Sequence, residues 1–162
     1  MKILIFTEGT ILMHQGAKNV SREERVKQVV NKEASVSDFV NYIPISQAVI
    51  KLNFWVDAGA EIYYLTSRTD DQVDDIFKVL TRHKFPTPTN LYHRIGLEEY
   101  TDVVNKIQPN VLIEDDCESI GGLSEMISPT LSDNIQKIVV KEFEGIDKLA
   151  NDIAILMNHS GF

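Results

Sequence analysis

A chain of 162 residues, against about 150 per domain, argues for one domain spanning 1–162 with enough core to fold without disulfides or a structural metal. The hydrophobic fraction of 43% and charged fraction of 25% exclude a mostly disordered chain. Sixteen Lys and Arg against twenty-four Asp and Glu give a net charge of −8, so general nucleic-acid binding and anionic membranes are disfavoured by long-range repulsion.

One cysteine, Cys117, excludes an intramolecular disulfide and fits a reducing compartment. The apolar start Met1–Phe6 is interrupted by Glu8 before a signal-peptide core can form, and no apolar run approaches the ~18 residues that span a bilayer. A cytoplasmic protein without membrane contact is the expectation. Nothing in the pattern specifies an oligomer.

In chain order, Lys2–Phe6 is a continuous apolar run ending at Glu8-Gly9, which predicts a strand buried on both faces. Ser21 with Glu24 has capping-box spacing and opens a helix carrying Val26, Val29 and Val30. A short helix is expected over 36–40. Ser46 is placed as the cap of a second helix with Ala48, Val49, Leu52, Trp55 and Val56 inward and Gly59 past its end.

A strand is predicted over 61–66, then a helix over 70–84 with Val73, Ile76, Phe77 and Leu80 on one face. A short strand follows at 91–93 and a helix at 98–107. Strands at 111–114 and 137–140 and a terminal helix over 146–157 complete the series. The alternation predicts an α/β fold: a Rossmann-like, three-layer α/β/α domain around a five-stranded parallel sheet. In such sheets ligands bind beyond the carboxyl ends of the strands. Three strands end there in polar clusters: Thr7-Glu8-Gly9-Thr10, Thr66-Ser67-Arg68-Thr69 and Glu114-Asp115-Asp116.

Each cluster has a chemical and a plain reading. Three adjacent carboxylates repel unless offset, and a hard cation such as Mg²⁺ does so through one or two carboxylates plus water. A helix N-terminus also favours acids. Thr66 and Ser67 offer a hydroxyl and backbone N–H groups to a phosphate oxygen, or cap the next helix. Arg68 is either a phosphate ligand or a surface charge. Gly9 permits a tight turn and close backbone approach. The four histidines show no paired zinc spacing. Among so many acids Cys117 reads as a small packing residue rather than a nucleophile.

The order strand-Glu-Gly-Thr, strand-Thr-Ser, strand-Glu-Asp-Asp resembles the haloacid dehalogenase (HAD) superfamily. Phe6-Thr7-Glu8-Gly9-Thr10 is similar to its first motif, Asp-x-Asp-Gly-Thr. Thr66-Ser67 is similar to the second, and Glu114-Asp115-Asp116-Cys117-Glu118-Ser119-Ile120-Gly121 to the fourth. The resemblance implies strand order 5-4-1-2-3, a phosphate on Ser67 or Thr66 and the Gly9 turn, and Mg²⁺ on Asp115 with Asp116. It also implies a general-acid role for Glu8.

The family's nucleophilic Asp is replaced by Phe6 in a gapless reading, or by Thr7 if one residue is deleted. Neither is a carboxylate, so the group that attacks phosphorus and also ligates the metal is missing. No Lys opens the helix before the fourth motif, which leaves Arg94 or Lys106 for the third. Residues 13–45 are the candidate for a small cap; its cations Lys18, Arg22, Arg25, Lys27 and Lys32 read as a solvated helix face.

Two functions are therefore expected in turn. The first is a HAD-like protein with a residual phosphate and Mg²⁺ site but without phospho-aspartyl chemistry. The second is a Mg²⁺-dependent phosphohydrolase using Thr7 or a water, acting on a nucleotide, a nucleic-acid end or a phosphoprotein. In both, the expected partner is a phosphorylated ligand.

Overall fold

In the computed structural model, which describes residues 1–159, the central sheet has five parallel strands. They are β1 (Lys2–Phe6), β4 (Glu61–Leu65), β5 (Leu91–Tyr92), β6 (Val111–Asp115) and β7 (Gln136–Val140). Their order is β5-β4-β1-β6-β7, which is the expected 3-2-1-4-5 arrangement read from the other edge. β1 lies at the centre, paired with β4 through Ile3–Ile62 and Ile5–Tyr64 and with β6 through Ile3–Val111 and Ile5–Ile113.

Side chains alternate across the sheet, so each strand feeds two cores. Ile3, Ile5, Ile62, Tyr64, Val111 and Ile113 pack on one face against α2 (Ala48–Asp57) and α3 (Val73–Arg82). Leu4, Leu65 and Leu112 pack on the other against α4 (Tyr100–Ile107) and against Ile127, Leu131 and Ile135. This is the three-layer α/β/α arrangement. No helix among the described residues is long and apolar enough to cross a membrane.

The helices follow their sequence signals with instructive exceptions. Ser21 accepts the Glu24 N–H and starts α1 (Arg22–Val30). Ser46 does not cap α2: its backbone is left-handed, Gln47 takes the cap position, and the Gln47 N–H is accepted by Asp147. α4 starts two residues later than expected, because Glu99 and Asp102 form a reciprocal capping box there. On α3, Ile76, Val79 and Leu80 are buried, whereas Phe77 is 40% exposed. The terminal segment is mostly turns, with only α5 (Ile153–Leu156) helical; its apolar residues Ile146, Leu149 and Leu156 still reach the core.

Residues 13–45 leave the sheet after β1 and return before α2. Their ends are joined by a two-stranded antiparallel pair unforeseen from the sequence, β2 (Leu12–Met13) with β3 (Ile43–Pro44). Between them lie α1 and, in place of the single short helix expected at 36–40, two 3₁₀ turns at Ala34–Ser37 and Phe39–Asn41. Buried His14 shares a 2.8 Å hydrogen bond with Gln28, fixing α1 over the strand.

The basic residues of this segment are not one solvated face. Lys18, Lys27 and Lys32 are exposed, but Arg25 donates to the carbonyls of Ala17 and Phe143. Arg22 donates to Glu118 at 2.6 Å and to the Glu142 carbonyl. Both arginines tie α1 to the loop that follows β7.

Candidate active site

The carboxyl ends of β1, β4, β6 and β7 surround a cavity of about 200 Å³. Its floor holds Phe6, Glu8, Gly9, Ser67, Arg68, Asp115 and Glu142. Val29, Val36, Phe39 and Tyr42 from the 13–45 segment form an apolar wall, with Tyr100 and Phe143 beside them. The three polar clusters of the sequence therefore converge on one edge of the sheet.

At the β1 end the side chains of residues 6 and 7 have different surroundings. Phe6 is half-buried, lines the cavity and meets the Tyr100 ring edge-to-face at 5.3 Å. Thr7 is fully buried and does not line the cavity; its hydroxyl donates to Glu8 at 2.7 Å and points also at the Leu65 carbonyl. Of the two positions the motif comparison left open, Phe6 lines the cavity together with Glu8, and Thr7 does not.

Glu8 is held by groups from two strand ends. Its carboxylate accepts from the Thr7 and Thr66 hydroxyls and from the Ser67 N–H, and lies 3.6 Å from Arg68 Nε. Thr66 is fully buried, so its hydroxyl belongs to Glu8 rather than to a ligand. Ser67 lines the cavity, and its Oγ accepts from Arg68 at 2.7 Å. Arg94 and Lys106 do not line it. Arg94 lies 4.1 Å over the outer Tyr100 ring, and Lys106 pairs with Glu98 and is 58% exposed.

The three consecutive acids of β6 divide by strand alternation. Glu114 turns to the α4 face, where it accepts the N–H groups of Ile127 (3.1 Å) and Ser128 (2.7 Å). Asp115, on the opposite face, accepts from the Thr10 hydroxyl at 2.9 Å and the Cys117 N–H at 3.0 Å. Gly9 is required here: its φ is +81°, and a Cβ would lie 2.7 Å from Asp115 Oδ2.

Glu142, two residues beyond β7, was not singled out by sequence and is central to the site. It accepts from the Ser119 N–H and hydroxyl at 2.7 and 2.6 Å. One oxygen each from Asp115, Asp116 and Glu142 lies within 4.8 Å of the others. Its signal in the sequence is positional: Lys141-Glu142 directly follows the apolar run Ile138–Val140, as the other three clusters follow theirs.

Every hydrogen-bond donor to these three carboxylates is a neutral N–H or hydroxyl. Burial and the nearby Glu142 push Asp115 up to about 7, and burial also raises Glu142. Closely placed carboxylate oxygens that accept no hydrogen bond from a cationic side chain among the described residues suit a hard divalent ion such as Mg²⁺. The same environment pushes the Cys117 thiol upward, first through burial and then through Asp115 and Glu114, so a reactive thiolate is disfavoured.

The Asp115 shift has a signed consequence. The folded protein keeps this proton up to about pH 7, whereas an unperturbed Asp loses it near 3.8. Between those values folding takes up a proton, so stability without divalent ions falls as pH rises from 4 through 7, at most by about 1.4 kcal/mol per pH unit for one group. Thermal melts in chelator across this range are expected to show the fall, and Asp115→Asn to flatten it. An unchanged slope in Asp115→Asn would contradict the assignment.

No protein-family model matches the chain, and no curated protein matches it. Among solved structures it is similar to the class C acid phosphatase from Bacillus anthracis with tungstate bound, at 13% identity and a TM-score of 0.56, over 89% of this chain and 68% of that one. Another structure of the class C acid phosphatase from Bacillus anthracis matches at 14% identity and a TM-score of 0.56, over 99% and 78%. With the strand order, this likeness gives the chain a HAD-like fold. At such identity the likeness concerns the fold alone. A HAD family hydrolase from Deinococcus radiodurans R1 with bound phosphate and sodium superposes less closely, at 10% identity and a TM-score of 0.47, over 88% of this chain and 91% of that one.

Proposed function

We propose that this protein binds a phosphorylated ligand together with a divalent cation and does not turn it over through a phospho-enzyme. The observation that carries the reading is the pairing of an aromatic ring with an intact acid cluster. Phe6 fills the end of β1, while Asp115, Asp116 and Glu142 keep their oxygens within 4.8 Å. A phenyl ring has no lone pair to attack phosphorus and no charge to give a metal. Asp115, Asp116 and Glu142 would hold Mg²⁺, which when bound supplies positive charge to phosphate oxygens. The segment 13–45 acts as a small cap, its apolar wall covering one side of the ligand.

The alternative, a hydrolase using Thr7, has the weaker support, because that hydroxyl is buried and already engaged with Glu8. A water nucleophile remains the competing route, with Glu8 its nearest cavity-lining carboxylate to the β1 end.

Calorimetry with MgCl₂ tests the cation. Wild type is expected to bind with millimolar affinity, since one family ligand is absent, and Asp115→Asn or Glu142→Gln to weaken it roughly tenfold or more. Equal heats in all three proteins would remove the site. Mg²⁺-dependent turnover of an aryl phosphate by wild type would overturn the binding-only reading.

A further inference from the structure

We propose that Arg68, from the loop after β4, is the anion anchor of this cavity, receiving the peripheral phosphate oxygens of the ligand. This rests on the phosphate-binding reading above and names the residue that makes it electrostatically feasible. Among the described residues lining the cavity, the carboxyl groups are Glu8, Glu114, Asp115, Glu125 and Glu142, and Arg68 is the one guanidinium or ammonium. A phosphate entering so acidic a cavity needs positive charge on two sides. A cation on Asp115 and Glu142 supplies one side; Arg68 supplies the other.

The guanidinium is set up for an acceptor it does not yet have. Its Nη2 donates to Ser67 Oγ at 2.7 Å. Its Nε is buried with no hydrogen-bond acceptor, and Glu8 at 3.6 Å lies beyond hydrogen-bond reach. That Nε is closed to solvent and ion-paired with Glu8, so a phosphate oxygen reaches it by displacing the Glu8 contact, exchanging a 3.6 Å ion pair for a charge-assisted hydrogen bond. The planar fork also matches two oxygens of a tetrahedral anion, which a lysine ammonium cannot do.

Phe39 steadies the group, with its ring 4.5 Å from the guanidinium carbon. Arg94 and Lys106 are occupied elsewhere, on Tyr100 and Glu98. The work assigned by resemblance to a basic residue before β6 thus falls to a residue on the opposite side of β1.

The test titrates inorganic phosphate into the full chain with MgCl₂ present, at constant ionic strength. It compares wild type, R68K, R68Q, R94Q and K106Q, with melts to confirm folding. R68Q is expected to weaken phosphate binding roughly tenfold or more and R68K less, with R94Q and K106Q within about twofold of wild type. The ¹⁵N signal of the Arg68 Nε–H, assigned by its loss in R68K, should shift downfield on phosphate addition. Wild-type phosphate affinity in R68Q, or an unmoved Nε–H signal at saturation, overturns the anchor. Mg²⁺ titrations without phosphate separate the two readings: R68Q should keep the Mg²⁺ heat. If no protein shows that heat, the cation reading fails, and the Nε–H signal in phosphate alone still decides the anchor.

Discussion

Phe6→Asp is expected to tighten Mg²⁺ binding roughly tenfold or more and to raise Mg²⁺-dependent aryl phosphate hydrolysis above the wild-type level. The β1 backbone already delivers residue 6 to the cavity beside Tyr100, so the new carboxylate enters the cavity that Asp115 and Glu142 also line. It adds a nucleophile and an anionic ligand at once. The variant loses an edge-to-face ring contact and adds like charge, so its stability without metal should fall by about 1–3 kcal/mol. Mg²⁺ should recover part of that loss, because a ligand binding only the folded state stabilises it.

Thr7→Asp is the matched control. Residue 7 is fully buried with its hydroxyl on Glu8, so a carboxylate there faces another acid without solvent. It should destabilise the protein and gain no activity. Kinetic assay, calorimetry and thermal melts on both variants check this. Activity in Thr7→Asp with none in Phe6→Asp would reverse the register of the first motif.

Glu114→Ala should be among the most destabilising single changes at this edge, costing about 4 kcal/mol. Two backbone donors, at Ile127 and Ser128, lose their shared acceptor while remaining buried, and each orphaned donor costs about 1–3 kcal/mol. Urea denaturation measures the loss. Glu125→Ala, at an exposed position on the same loop, should stay within about 0.5 kcal/mol of wild type. Mg²⁺ binding should survive in Glu114→Ala at a temperature where it remains folded, since Glu114 stands outside the Asp115–Asp116–Glu142 group. Normal stability with lost Mg²⁺ binding would show that Glu114 is a metal ligand after all.

These two experiments divide acids that look equivalent in the sequence. Glu114 and Asp115 are neighbours that both line the cavity, yet Glu114 holds a loop and Asp115 joins Asp116 and Glu142. The cause is the two-residue period of a strand, which sends consecutive side chains to opposite faces. The sequence contained that rule, but which acid meets the loop and which meets Glu142 depends on where α4, the loop at 127–128 and β7 pack.

What the sequence determined by itself was the layout. Continuous apolar runs at 2–6, 111–114 and 137–140 and the alternating helices gave the parallel sheet, and polar clusters at the strand ends located the site. These are local signals, written in periodicity and punctuation, and they remain legible without distant contacts. That neither Phe6 nor Thr7 is a carboxylate was equally plain.

Tertiary structure decided everything that depends on partners far apart in the chain. Packing placed Phe6 against Tyr100 beside the cavity and buried Thr7 beneath it. Glu142 joined Asp115 because β7 lies beside β6, a pairing between segments more than twenty residues apart. Arg22 and Arg25 left the solvated face because carbonyls about 120 residues onward lie within reach of α1. Thr66 became a partner of Glu8 across 58 residues. A side chain's chemistry depends on what surrounds it in space, and at this site those surroundings come from four strand ends that only the folded sheet brings together.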